Sequence, residues 1–223
     1  MVRAIVFDLF ETLVTEWGHE KYTKRKMSAD LGCPLDGFSK LWEGLHEDQY
    51  RGRIGLEESL RYICGKLSVD VSDEGIEYVM QKRIKTKSAC FDHVHPDIYP
   101  LLCDLRERGY KLAILSNCSQ DEVLMLKNSK FASLMDEMVL SCETGLCKPQ
   151  GEIYRLAANK LRVKCDECIF IGDGGSEELY GAKQAGMQPY RAMWYILKMP
   201  SPIKEQPGFI RLKKPLDVLD IIK

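Results

Sequence analysis

A chain of 223 residues, 45% hydrophobic and 29% charged, has the makeup of an ordinary folded protein, with room for one large domain or two smaller ones. Its formal net charge of −1 excludes a global field that would draw nucleic acid or an anionic membrane, and no apolar run is long enough to span a bilayer. Met1 to Leu13 is too short and too acidic for a signal peptide, and nine cysteines scattered without a framework suit a reducing compartment, so a cytoplasmic location is expected.

The first strong signal is Ala4-Ile5-Val6-Phe7, a continuous apolar run that ends abruptly at Asp8, with Thr12 one loop further on. Such a run suits a strand buried on both faces of a parallel sheet, and sheets of that kind place their chemistry beyond the carboxyl ends of their strands. After Leu13 the pattern turns helical. Lys21 to Leu31 reads as a charged helix ended near Gly32 and Pro34. Phe38, Leu41, Trp42 and Leu45 recur at helical spacing, as do Leu56, Leu60, Ile63, Cys64 and Leu67. Ile76, Val79, Met80 and Ile84 form a fourth stripe, with Ser72 or Asp73 placed to cap it. Four amphipathic helices with short connections predict a small helical bundle, closed by the Phe91 to Pro96 segment.

Beyond Pro96, strand and helix alternate. A helix carrying Leu101, Leu102 and Leu105 stops at Gly109, and Lys111 to Leu115 is a second buried strand ending in Ser116-Asn117. A helix from about Glu122 leads to a short strand, Met138 to Leu140. The loop containing Lys148-Pro149 opens a helix with Ile153, Leu156, Ala157 and Leu161 aligned. Cys168 to Ile171 is the fourth strand, ending in Gly172-Asp173 before a helix that includes Glu178 and stops near Gly186. Pro189 to Trp194 is a fifth strand, and Phe209-Ile210 with Leu216 to Ile222 supplies a last strand and helix. The fold class is therefore α/β, a Rossmann-like parallel-sheet core with an inserted α-helical bundle. Residues 1–13 and 93–223 make the core and residues 14–92 the insertion. Cys165 and Cys168 have the spacing of a metal or redox pair; no second pair of that spacing exists, Cys142 and Cys147 being the residues that could complete a zinc set, and because Cys168 opens an apolar run a core role is expected.

Four polar groups thus converge at one sheet edge: Asp8 with Thr12, Ser116 with Asn117, Lys148, and Asp173 with Glu178. Singly, each has an ordinary structural use as a cap, turn or solvated lysine. Together, in the segments Phe7-Asp8-Leu9-Phe10-Glu11-Thr12-Leu13, Leu115-Ser116-Asn117, Lys148-Pro149 and Ile171-Gly172-Asp173, they resemble the four signature motifs of the haloacid dehalogenase superfamily of hydrolases. The resemblance covers nearly the whole chain, since the bundle lies where that family inserts a helical cap.

The resemblance implies a nucleophilic Asp8 that forms a covalent aspartyl intermediate, with Thr12, Ser116 and backbone amides beside Asn117 holding the transferring group and Lys148 offsetting the gathered negative charge. In the phosphatase branch it also implies magnesium, held by Asp8, the backbone carbonyl of Phe10, and Asp173, with Glu178 steadying a metal-bound water or Lys148. The expected substrate is a small phosphorylated molecule. Phe10 departs from the pattern: phosphatases of this family carry a second aspartate there as general acid, and a phenyl ring cannot transfer a proton. Glu11 is adjacent, but on an extended segment neighbouring side chains point apart. Two other readings stay open. A metal-independent 2-haloacid dehalogenase would match the aromatic residue at Phe10 and also Tyr154, yet Asp173 opposite Asp8 is repulsive without a cation. A regulatory module that grips phosphate with weak catalysis would also fit the missing acid.

Overall fold

The structure of the protein, a computed structural model, describes residues 1–18, 20–199 and 206–222. Among these residues six strands form one sheet: β1 (Ala4–Phe7), β2 (Lys111–Ser116), β3 (Glu137–Leu140), β4 (Cys168–Gly172), β5 (Gln188–Ala192) and β6 (Ile210–Leu212). Their order is β3-β2-β1-β4-β5-β6, and every adjacent pair runs parallel. The helices are α1 (Lys24–Asp30), α2 (Leu35–Gly44), α3 (His46–Tyr50), α4 (Leu56–Lys66), α5 (Asp73–Ser88), α6 (Ile98–Glu107), α7 (Gln120–Lys127), α8 (Ser141–Thr144), α9 (Gly151–Lys160), α10 (Glu178–Gln184) and α11 (Val218–Ile221).

β1 is fully buried at the centre of the sheet and alternates between two apolar layers. Ile5 and Phe7 pack with Leu101, Leu102 and Leu105 of α6 and with Leu126 of α7, whereas Ala4 and Val6 pack with Ile153 and Ala157 of α9 and with Leu179 and Ala182 of α10. Two covered faces explain why the strand is apolar at every position. Burying Ile5, Val6 and Phe7 is worth about 1.5–3 kcal/mol each.

All the strands expected from sequence form. The fifth ends at Ala192 rather than Trp194, because the chain then turns inward: Trp194 Nε1 donates to Thr12 O at 2.8 Å and Tyr195 Oη to Leu13 O at 3.3 Å. Those two bonds clamp the loop that follows β1.

Helices α1 to α5 share a separate apolar cluster that includes Met27, Phe38, Trp42, Leu60, Ile63 and Val79. The first begins at Lys24 and not Lys21, where Thr23 accepts a bond from Lys26 N at 3.4 Å. The second stripe is divided at Leu45, whose N–H is shared between Leu41 O and Trp42 O, so five helices stand where four were expected. The weak helix former Gly44 directly precedes that break. Ser72 caps α5 as anticipated, accepting from Gly75 N at 3.2 Å. Val14 stays with the sheet, bridged to Phe10 and packed in the same cluster as Phe7. The helical layer rests on the sheet edge through Arg51 Nη1 to Gly145 O (2.8 Å) and Arg83 Nε to Asp121 Oδ2 (3.1 Å). Among the described residues no helix is long and apolar enough to cross a membrane. Cys168 is buried in the α9 and α10 layer and Cys165 lies at its rim.

Candidate active site

The sheet order turns around at β1, since β2 and β3 continue to one side and β4 to β6 to the other. The crevice between β1 and β4 is therefore the topological switch point, where open α/β sheets bind ligands. Asp8 follows β1 directly, and its N–H donates to Ile171 O of β4 at 2.8 Å. Ser116 closes β2 with Asn117 next to it, and Asp173 follows β4. Lys148 arrives from the loop before α9 and Glu178 from the first residue of α10.

The buried Lys148 ammonium contacts both Asp8 Oδ1 and Glu178 Oε2. Carboxylate oxygens of Asp8, Asp173 and Glu178 lie within 4.8 Å of one another, the one grouping of metal-ligating side chains among the described residues. Burial drives the Asp8 carboxyl upward and Asp173 adds to this, against the pull of Lys148. Burial and the Asp8 charge push Glu178 up to about 8. Lys148 is held above the ordinary lysine value because the two carboxylates outweigh its desolvation. Three carboxylates against one ammonium leave an excess of negative charge in a confined space, the donor set that a hard divalent cation suits.

Supporting contacts fix this cluster. Asn117 does not point its amide at the carboxylates. It grips the backbone of Lys148, donating to Lys148 O at 3.0 Å and accepting from Lys148 N at 2.8 Å. Thr12 is fully buried and its hydroxyl donates to Asp8 Oδ2 at 3.3 Å. Tyr154 is buried beneath the site, with its hydroxyl donating to Glu178 O at 2.8 Å. Glu178 Oε1 accepts from Gly174 N at 3.0 Å, and Asp173 Oδ1 from Gly175 N at 2.9 Å. Gly172 has to lack a side chain here, since a Cβ would stand 2.7 Å from Glu178 Cδ.

The stretch after Asp8 is a turn, not an extended segment. Glu11 takes φ 57°, a left-handed conformation uncommon for a residue with a Cβ. That corrects the alternation argument applied to Glu11, because the turn brings it to the same cavity as Asp8. Its carboxylate is engaged there, accepting from Thr15 Oγ1 at 2.5 Å and Glu16 N at 2.9 Å.

Asp8, Phe10, Ser116, Asn117, Lys148, Asp173 and Glu178 line one cavity of about 250 Å³, while Thr12 stands behind it. The cavity is closed by residues that the motifs did not indicate: Glu16, Tyr50, Lys87 and Glu122. Lys87 contacts Glu16 Oε1 at 3.0 Å and also Glu122 Oε1, and its ammonium stands 5.0 Å from the centre of the Phe10 ring. The recurrence of cations at Arg83 and Lys87, four residues apart on α5, was the one sequence trace of this wall.

The model of the haloacid dehalogenase-like hydrolases matches residues 2–186. A glyceraldehyde 3-phosphate phosphatase of Methanopyrus kandleri is 32% identical over 231 aligned positions, covering 100% of this chain and 98% of its own length. An (S)-2-haloacid dehalogenase of Burkholderia cepacia is 27% identical, over 85% of this chain and 82% of its own. A haloacid dehalogenase family enzyme of Bacteroides thetaiotaomicron, solved with magnesium and inorganic phosphate, superposes with a TM-score of 0.66 at 19% identity, covering 93% of this chain and 98% of its own.

Proposed function

The chain belongs to the haloacid dehalogenase-like hydrolases, and we propose that it is a magnesium-dependent phosphatase of small phosphate esters with Asp8 as nucleophile. The observation that carries this reading is Asp173. A third carboxylate beside Asp8 and Glu178 raises the electrostatic cost of the site unless a cation is there to offset it. A dehalogenase working on a carboxylate substrate would meet that charge as repulsion. The relative with a phosphatase name also matches over more of its length than the dehalogenase does.

Asp8 attacks phosphorus, the ester oxygen departs, and water then hydrolyses the aspartyl phosphate. Lys148, held between Asp8 and Glu178, favours the ionised nucleophile against the burial that raises its carboxyl and offsets charge on the phosphoryl oxygens. Thr12 fixes the orientation of the Asp8 carboxylate. Ser116 supplies a hydroxyl at the cavity wall, and Asn117 sets the position of Lys148. Asp8, the carbonyl of Phe10, and Asp173 would hold magnesium, which when bound neutralises phosphate charge and orients the ester. Glu178 holds Lys148 and the turn amide of Gly174 rather than standing free for the ion.

In this reading residues 1–13 and 93–223 form the catalytic core and residues 14–92 a helical cap over its active edge, placing Tyr50 and Lys87 on the cap side of the cavity. The nine free cysteines favour a reducing, cytoplasmic setting. The experiment is hydrolysis of an aryl phosphate with magnesium or with excess chelator, alongside halide release from a 2-haloacid. Magnesium-dependent phosphate release is expected. Halide release that persists in chelator, without phosphatase activity, would move the assignment to the dehalogenase branch.

A further inference from the structure

A second cavity of about 260 Å³ adjoins the first among α2, α3 and α5, with Trp42 and Arg83 on its walls. Glu16, Tyr50, Lys87 and Glu122 line both spaces and so mark their junction. In-line displacement sets the attacking and departing oxygens on opposite sides of phosphorus. With phosphorus facing Asp8, the departing oxygen lies away from the sheet edge, toward the helical side, where this junction stands.

Of the four junction residues, Glu16 and Glu122 are the carboxylates that grip Lys87. Although burial opposes it, Lys87 holds the Glu16 carboxyl below its ordinary value, so it carries no proton to give at neutral pH. Glu122 also accepts from Ser119 N at 3.1 Å, which fixes it to the start of α7. Tyr50 has a neutral hydroxyl. Lys87 brings a positive charge and several N–H donors on a side chain that is only 20% exposed, already oriented by two carboxylates and the face of Phe10. A donor held in place in this way needs no reorganisation when charge develops on a departing oxygen.

We propose that the leaving group occupies the second cavity and that the Lys87 ammonium hydrogen-bonds the oxygen bridging it to phosphorus, stabilising the developing alkoxide where Phe10 has no proton to offer. The proposal rests on the phosphatase reading. Ser119 adds a detail on the leaving group: its Oγ is buried, lines the second cavity and has no hydrogen-bond partner among the described residues. Ser119 opens α7 in a capping box with Glu122, which faces its oxygen toward the helix amides, and its hydroxyl proton is left to donate to a hydroxyl of the bound alcohol, which makes small hydroxylated alcohols the fitting class.

The test is kcat/KM across a series of aryl and alkyl phosphate monoesters for the wild type, Lys87→Met and Lys87→Arg. Lys87→Met is expected to lose about 10²-fold on alkyl phosphates, the usual effect of removing one oriented donor, and at least about tenfold less on nitrophenyl phosphate, whose leaving group needs little help. Its dependence on leaving-group pKa steepens accordingly, and Lys87→Arg restores much of the shallow wild-type dependence. Lys87→Met takes the nearest cation away from Glu16 and Glu122, the latter keeping Arg83 Nη2 at 3.9 Å, so Lys87→Met/Glu122→Gln, checked for a cooperative thermal melt, repeats the measurement with one of those charges removed. An equal loss on every ester in a folded variant, with the slope unchanged, overturns the role of Lys87 and leaves the phosphatase reading standing. A folded wild type that hydrolyses no phosphate monoester overturns the phosphatase reading, and this proposal with it.

Discussion

The two adjoining cavities differ in charge more than in size. Among the described residues, six carboxylates line the Asp8 cavity, Asp8, Glu11, Glu16, Glu122, Asp173 and Glu178, against two ammonium groups, Lys87 and Lys148. The second cavity has three of each sign among the described residues: Glu16, Glu20 and Glu122 with Lys21, Arg83 and Lys87. His46 also lines it, and burial holds its imidazole below the ordinary histidine value and so favours the neutral ring. The difference separates two tasks. A space with uncompensated negative charge waits for cations before it can admit a phosphate. A space whose charges already cancel is suited to an uncharged organic group, with Trp42 and Tyr22 offering apolar faces.

The comparison breaks first at Asp8. Asp8→Asn keeps the side-chain shape and removes the attacking oxygen, so turnover of every phosphate ester should fall at least ~100-fold. Wild-type-like rates, with reversion of the amide excluded by mass spectrometry, would end the nucleophile assignment. Lys148 comes next, as the buried cation that keeps Asp8 and Glu178 tolerable to each other. Lys148→Met should cost about 3–5 kcal/mol in denaturant unfolding, as breaking a buried ion pair does. A loss under about 1 kcal/mol would show that the carboxylates are solvated or protonated instead.

Asp173 tests whether the excess charge serves a cation. Asp173→Ala should raise the magnesium concentration for half-maximal aryl phosphatase activity by ~10-fold or more. An unchanged magnesium requirement with reduced turnover would move Asp173 out of the metal site. The smallest effect is one of pH. Without a bound cation, burial and the Asp8 charge push the Glu178 carboxyl up to about 8, so the folded state binds a proton more readily than the unfolded chain. Its contribution is therefore complete at acid pH and declines as pH rises toward 8. Thermal melts in chelator should show the wild type losing stability relative to Glu178→Gln between about pH 5 and 8. Each 1 kcal/mol would move the melting temperature by about 2–4 °C in a chain of this size. A wild type that gains on the variant over that range would reverse the sign and discard the account of Glu178 as a carboxyl strained by burial.

Much of the molecule was legible in the chain because its signals are local. β1 reads as buried because both of its faces are covered, and the acids and hydroxyls at Asp8, Ser116 and Asp173 stand out because each interrupts an apolar run. Strand ends of one parallel sheet share an edge, so these positions converge without long-range information. Helix spans were less exact where a cap or break depends on a single bond, as at Thr23 and Leu45.

The partners of each motif residue were decided by tertiary structure. Nothing in the sequence distinguishes an Asn117 that faces substrate from one that grips Lys148, and a Thr12 beside the phosphate from one behind Asp8. The loop that carries the left-handed turn at Glu11 is held at Thr12 O and Leu13 O by Trp194 and Tyr195, far along the chain. Glu16, Tyr50 and Lys87 belong to helical and loop segments whose polar residues look alike in sequence. Only the docking of α3 and α5 against the sheet edge selects which of them meet Asp8, because periodicity defines a helix face but not the surface that face will meet.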